Sequence, residues 1–133
     1  MNEKMTTKLK LMKNTKKQIK ELQKYNEKSI NTIKDIKTVK IFYRDVPVIF
    51  EEKLALDRCL LGEFSHCNEE IKIDALLNEE KALDVLIHEM LHCSLAKYNN
   101  DLNKEKNIED LTTVVLTLIK DNKEVFKTII EKL

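Results

Sequence analysis

The stretch NEEKALDVLIHEMLHCSLAKY, residues 78–98, decides the reading of this chain. Asn78 is a helix-capping residue, and Glu79 and Glu80 put negative charge on the first turn, where the helix dipole favours it. No Gly or Pro interrupts the run to Tyr98. Ala82, Leu83, Val85, Leu86, Ile87, Met90, Leu91, Leu95 and Ala96 make it apolar on most faces. The pattern predicts a buried central helix. Set into it are His88 and His92, four residues apart, whose imidazoles therefore lie one above the other on the helix surface.

His88-Glu89-Met90-Leu91-His92 is an H-E-x-x-H motif. Zinc takes tetrahedral nitrogen and oxygen ligands at about 2.0–2.2 Å, and catalytic sites keep one position open for water. Two imidazoles on one helix face fit that demand. Glu89 projects beside them, placed to accept a proton from the water and pass it to a leaving amine. Two ligands do not complete such a site, and a carboxylate on a following helix is the expected third. The polar run from Asn99 to Lys106 separates the central helix from a second one, read as capped by Asn107 and spanning Ile108–Lys120. Glu109 lies in its first turn and is the expected ligand. Asp110 points about 100° away, and Glu105, placed before the cap, reads as solvated. His66 and Cys67 sit in a surface turn and read as solvated too, and Cys93 reads as a small apolar core group. Tyr43 and Tyr98 are both chemically able to donate to an oxyanion, and the spacing selects neither.

Upstream of the central helix the pattern changes. Val39 to Arg44 is β-branched and aromatic, broken by Asp45-Val46-Pro47 as in an edge strand, and residues 50–56 are ambiguous. Leu60 to Phe64 and Ile71-Lys72-Ile73-Asp74 read as two strands joined through Ser65-His66-Cys67-Asn68. In the second helix Leu111, Val115, Leu118 and Ile119 are expected to face the core. After a break at Asp121-Asn122 a last helix carries Val125, Phe126, Ile129 and Ile130.

Composition bounds the rest. One Gly (Gly62) in 133 residues excludes a dinucleotide fingerprint or a P-loop, and one Pro argues against an all-β domain rich in turns. The chain reads as mostly helical. Its longest apolar runs, Val114–Ile119 and Val46–Phe50, are far short of the ~20 residues that span a bilayer. The first residues lack the apolar core of a secretory signal, and three cysteines without framework spacing suit reduced thiols, so a cytoplasmic setting is expected. The net charge of +1 hides an asymmetry, with residues 1–40 carrying 12 Lys and 4 acidic residues. Residues 4–37 read as one long amphipathic helix. The favoured reading of its charge is a solvated lysine-rich face. Nucleic-acid contact through residues 1–40 is the lesser one, because the arm has a single aromatic, Tyr25, and no Arg. The expected organisation is a basic helix at residues 1–38 and a second region at residues 39–133.

The segment Ile71–Asn122 resembles the ImmA/IrrE-type zinc metallopeptidases, in particular their small stand-alone phage and prophage versions. The resemblance rests on Ile71-Lys72-Ile73-Asp74, on Leu86-Ile87-His88-Glu89-Met90-Leu91-His92, and on Glu109-Asp110-Leu111 running through to Asp121-Asn122. Thr112-Thr113 departs from the small residues that relatives favour after the Glu. No helix-turn-helix is present, and the lysine-rich N-terminal helix has no counterpart. The resemblance implies zinc ligands His88, His92 and Glu109, with Glu89 as general base. It implies a gluzincin-like α+β fold, a small twisted β-sheet packed on the H-E-x-x-H helix, to which the reading of residues 1–38 adds a long N-terminal helix. The expected activity is hydrolysis of a peptide bond in a protein or peptide substrate. The competing expectation is a catalytically silent zinc-containing interaction protein of a mobile element, its basic helix binding a partner or nucleic acid.

Overall fold

The computed structural model describes residues 3, 6, 13–14, 16–18, 30–58, 60–98 and 101–133. The chain divides into two compact units, Met1–Asp35 and Ile36–Leu133. In the first, Glu3, Thr6, Lys13, Asn14, Lys16, Lys17 and Gln18 are helical and exposed. Most of the helix expected over residues 4–37 lies outside the described residues. Its final part is not helical as expected: residues 30–32 are irregular, and Ile33–Asp35 form a single 3-10 turn. The Asp35 carboxylate accepts the N–H groups of Asn31 and Thr32, both at 3.0 Å, a local bond that competes with α-helix.

The second unit is α+β. It holds strands β1 (Thr38–Ile41), β2 (Arg44–Glu51), β3 (Gly62–Ser65) and β4 (Glu70–Asp74). Its helices are α1 (Leu54–Arg58), α2 (Glu79–Leu95), α3 (Glu105–Asp121) and α4 (Lys123–Lys132). The strands form one mixed sheet in the order β1-β2-β4-β3, with β2 and β4 parallel and the outer pairs antiparallel. The apolar run from Val39 does not make one strand. It turns back at Phe42-Tyr43, and β2 continues through Pro47. Phe42 takes φ 57°, which a two-residue hairpin with no Gly requires of its first turn residue. Pro47 stands opposite Thr38 of β1 and is tolerated because pairing of β2 with β4 begins only at Val48, so no β4 residue needs the missing N–H.

Alternation builds the core. Val46 and Val48 on β2, and Ile71 and Ile73 on β4, point to the same side and are buried, as are Ala82, Val85, Leu86 and Cys93 of α2. Full burial of Ile71 and Ile73 contributes about 1.5–3 kcal/mol apiece. The Asn78 side chain caps α2, accepting the Lys81 N–H at 2.8 Å. Asp74 is buried at the end of β4, where its carboxylate accepts the N–H groups of Ala55 (3.1 Å) and Leu76 (2.9 Å). That clamp ties the start of α1 to the turn leading into α2. α3 departs from expectation on its buried side: Ile108 and Thr112 are buried, whereas Leu111, Leu118 and Ile119 are exposed. Among the described residues no helix is long and apolar enough to cross a membrane.

Candidate metal centre

Helix α2 packs on β3 and β4 and carries the H-E-x-x-H residues His88, Glu89 and His92. The rings of His88 and His92 meet edge to face, with centroids 4.8 Å apart. Both side chains are largely buried, at 17% and 18% exposure. Facing them is Glu105, the first residue of α3. Its carboxylate oxygens stand 2.8 Å from Nε2 of His88 and 2.9 Å from Nε2 of His92. One ligand atom from each of His88, His92 and Glu105 lies within 4.8 Å of the others.

The expected third ligand, Glu109, is one turn further along α3. It lines the same cavity, of about 400 Å³, but is not part of the His88–His92–Glu105 cluster. The reason lies in where the helix starts. Asn107 was expected to cap it, yet the Asn107 side-chain amide donates to the Asp101 carbonyl instead. The Ile108 N–H already closes a helical turn on the Lys104 carbonyl at 3.0 Å. The N-terminus of α3 therefore lies at Lys104–Glu105, and Glu105 rather than Glu109 reaches back to α2. An acidic first residue is also favoured by the helix dipole. Asp110 is exposed and outside the cluster, as are the turn residues His66 and Cys67, with His66 stacked edge to face on Phe64 at 4.8 Å. Tyr43 and Tyr98 are 79% and 62% exposed around the β1–β2 turn and do not line the cavity.

A second polar residue joins from the same loop. Asn103 Oδ1 lies 2.8 Å from Nδ1 of His92, the ring nitrogen opposite the one that faces Glu105. The loop residue was not marked by the sequence, because an Asn in a polar run carries no signal of its own.

Glu89 is buried at 7% exposure beside the imidazole pair and lines the cavity. Its pKa is pushed up to about 7, foremost by burial, which disfavours the charged form. The charge of His92 works against this, the Glu105 carboxylate adds to it, the Phe64 backbone N–H opposes it, and Glu63 adds a little more. A carboxyl in that setting exchanges protons near neutrality. Its place is set by Gly62 of β3. A Cβ there would collide with Val85 Cγ1 and come within 3.2 Å of the Glu89 Cγ and Oε1. The chain's one Gly thus serves a close approach of strand to helix, not a phosphate loop.

No family model, curated protein or solved structure matches the chain.

Proposed function

We propose that the protein is a zinc-dependent metallopeptidase in which His88, His92 and Glu105 hold the metal and Glu89 is the general base. The observation that carries this reading is the meeting of two Nε2 atoms and one carboxylate beside a buried Glu, with His88, Glu89 and Glu105 lining one cavity. Two imidazoles and a carboxylate are a donor set of catalytic zinc, softer than the all-oxygen sets of Mg²⁺ or Ca²⁺. Glu105 approaches both imidazoles from the exposed side, so these three residues would hold the ion.

Zinc bound there would supply Lewis acidity toward a carbonyl and a lowered pKa for water. The chain's own groups supply the rest. Glu89 takes the proton of the attacking water on its carboxylate and returns it to the departing amine. Glu109 and Thr112 also line the cavity. β3 is one of the sheet's two edge strands, and its Gly62 lines the cavity. An extended peptide adding to that edge would carry its backbone past Glu89, the recognition mode of β-augmentation. This favours a protein or peptide substrate.

The ImmA/IrrE-like, phage-associated reading belongs to this proposal, with Glu105 in the ligand role that the resemblance gave to Glu109. So does a cytoplasmic setting, in keeping with free thiols at Cys67 and Cys93. Zinc-loaded protein incubated with a mixture of denatured proteins should cleave them, and chelation should stop it. Stoichiometric zinc without cleavage of any protein would favour the catalytically silent interaction protein instead.

A further inference from the structure

Asn103 and Glu105 are two residues apart at the junction of the loop and α3, and both reach the same imidazole from opposite sides. Asn103 Oδ1 stands 2.8 Å from His92 Nδ1, and Glu105 Oε2 stands 2.9 Å from His92 Nε2. A neutral imidazole carries one proton, and the hydrogen bond made by one nitrogen decides whether the other keeps a free lone pair. If the amide presented its Nδ2 instead, Nδ1 would have to accept, the proton would sit on Nε2, and that nitrogen could bind no metal.

We propose that Asn103 is a positioning residue for the metal. It accepts the Nδ1–H of His92, fixes the ring's tautomer and rotation, and so leaves Nε2, on the Glu105 side, able to give its lone pair to a metal. This rests on the zinc reading above. The Asn103-Lys104-Glu105 turn then delivers a ligand and the group that orients a second ligand in one loop placement. That placement is held by the Asn107 amide on the Asp101 carbonyl and by the Lys104 N–H on the same oxygen. Asn103 is half-buried, which shields the hydrogen bond from competing water.

The test measures zinc affinity by competition with a chromophoric chelator for wild type, Asn103→Ala, Asn103→Leu and Asn103→Asp. Loss of an outer partner of a metal-bound His typically costs 10–100-fold in affinity. Asn103→Ala and Asn103→Leu should fall by about that factor, while thermal unfolding of the metal-free proteins stays at the wild-type midpoint. Asn103→Asp keeps an acceptor and should bind within about threefold of wild type or tighter. In zinc-loaded wild type the His92 Nδ1–H should give a slowly exchanging proton resonance that Asn103→Ala abolishes. A merely structural role of the loop would not produce that loss together with rescue by Asp. Wild-type affinity in Asn103→Ala, or Asn103→Asp as weak as Asn103→Ala, overturns the inference and leaves the zinc reading intact. Failure of wild type itself to bind zinc overturns both.

Discussion

Glu105 and Glu109 stand one turn apart on α3, yet only Glu105 meets the imidazoles, with one carboxylate oxygen 2.8 Å from His88 and the other 2.9 Å from His92. One exposed carboxylate thus bridges two sheltered imidazoles. In the proposed reading a divalent cation would be held by His88, His92 and Glu105 in place of these direct contacts.

The two carboxylates therefore separate in a substitution test. Glu105→Ala should weaken zinc binding by more than the roughly 10–100-fold expected for an outer-shell partner. Glu109→Ala should leave the affinity within about threefold of wild type. Calorimetric zinc titration of the two variants checks this, and the opposite order would return the ligand role to Glu109.

Glu89→Gln should keep both fold and zinc and lose hydrolysis by about 10²–10⁴-fold. Gln has the volume to fill the buried site beside Gly62 and cannot take a proton from water at neutral pH. Activity surviving within about tenfold, or 1.4 kcal/mol of barrier, would remove Glu89 from the base role.

Gly62→Ala should destabilise the protein by about 1–3 kcal/mol, because the added methyl meets Val85 and the Glu89 stem where β3 and α2 are already in contact. A urea titration reads this as a lower midpoint at unchanged slope. An unaltered midpoint would mean that β3 and α2 part more easily than their packing implies.

Asp74→Ala should cost about 2–4 kcal/mol, since the N–H groups of Ala55 and Leu76 lose one buried, charged acceptor together. Asp74→Asn retains one acceptor oxygen and should recover about half. Equal loss in both variants would show that the charge, not the hydrogen-bond count, holds the clamp.

The parts of the fold legible in the sequence are those where local chemistry and packing agree. The α2 helix announces itself through the Asn78 cap and its apolar faces, and the β3–β4 hairpin through the I-x-I alternation of Ile71 and Ile73. The β1–β2 hairpin was hidden because its turn is Phe42-Tyr43, with no Gly to mark the positive φ. The start of α3 was hidden for a related reason. Asn107 looks like a cap, and only the folded loop brings the Asp101 carbonyl to its amide, moving the helix start toward Lys104. That shift exchanges Glu109 for Glu105 opposite the imidazoles. The motif named two groups of the site and its neighbouring carboxylate, while the third group depended on loop geometry that no residue spacing encodes.

The central claim is that His88, His92 and Glu105 bind one zinc ion. The most direct measurement is metal analysis of protein purified without chelator, for wild type and His92→Ala side by side. The account predicts about one zinc per wild-type chain and a near-empty variant with a lower unfolding temperature, because the ligands join α2 to α3. Wild type with no zinc, or His92→Ala retaining a full equivalent, would contradict it.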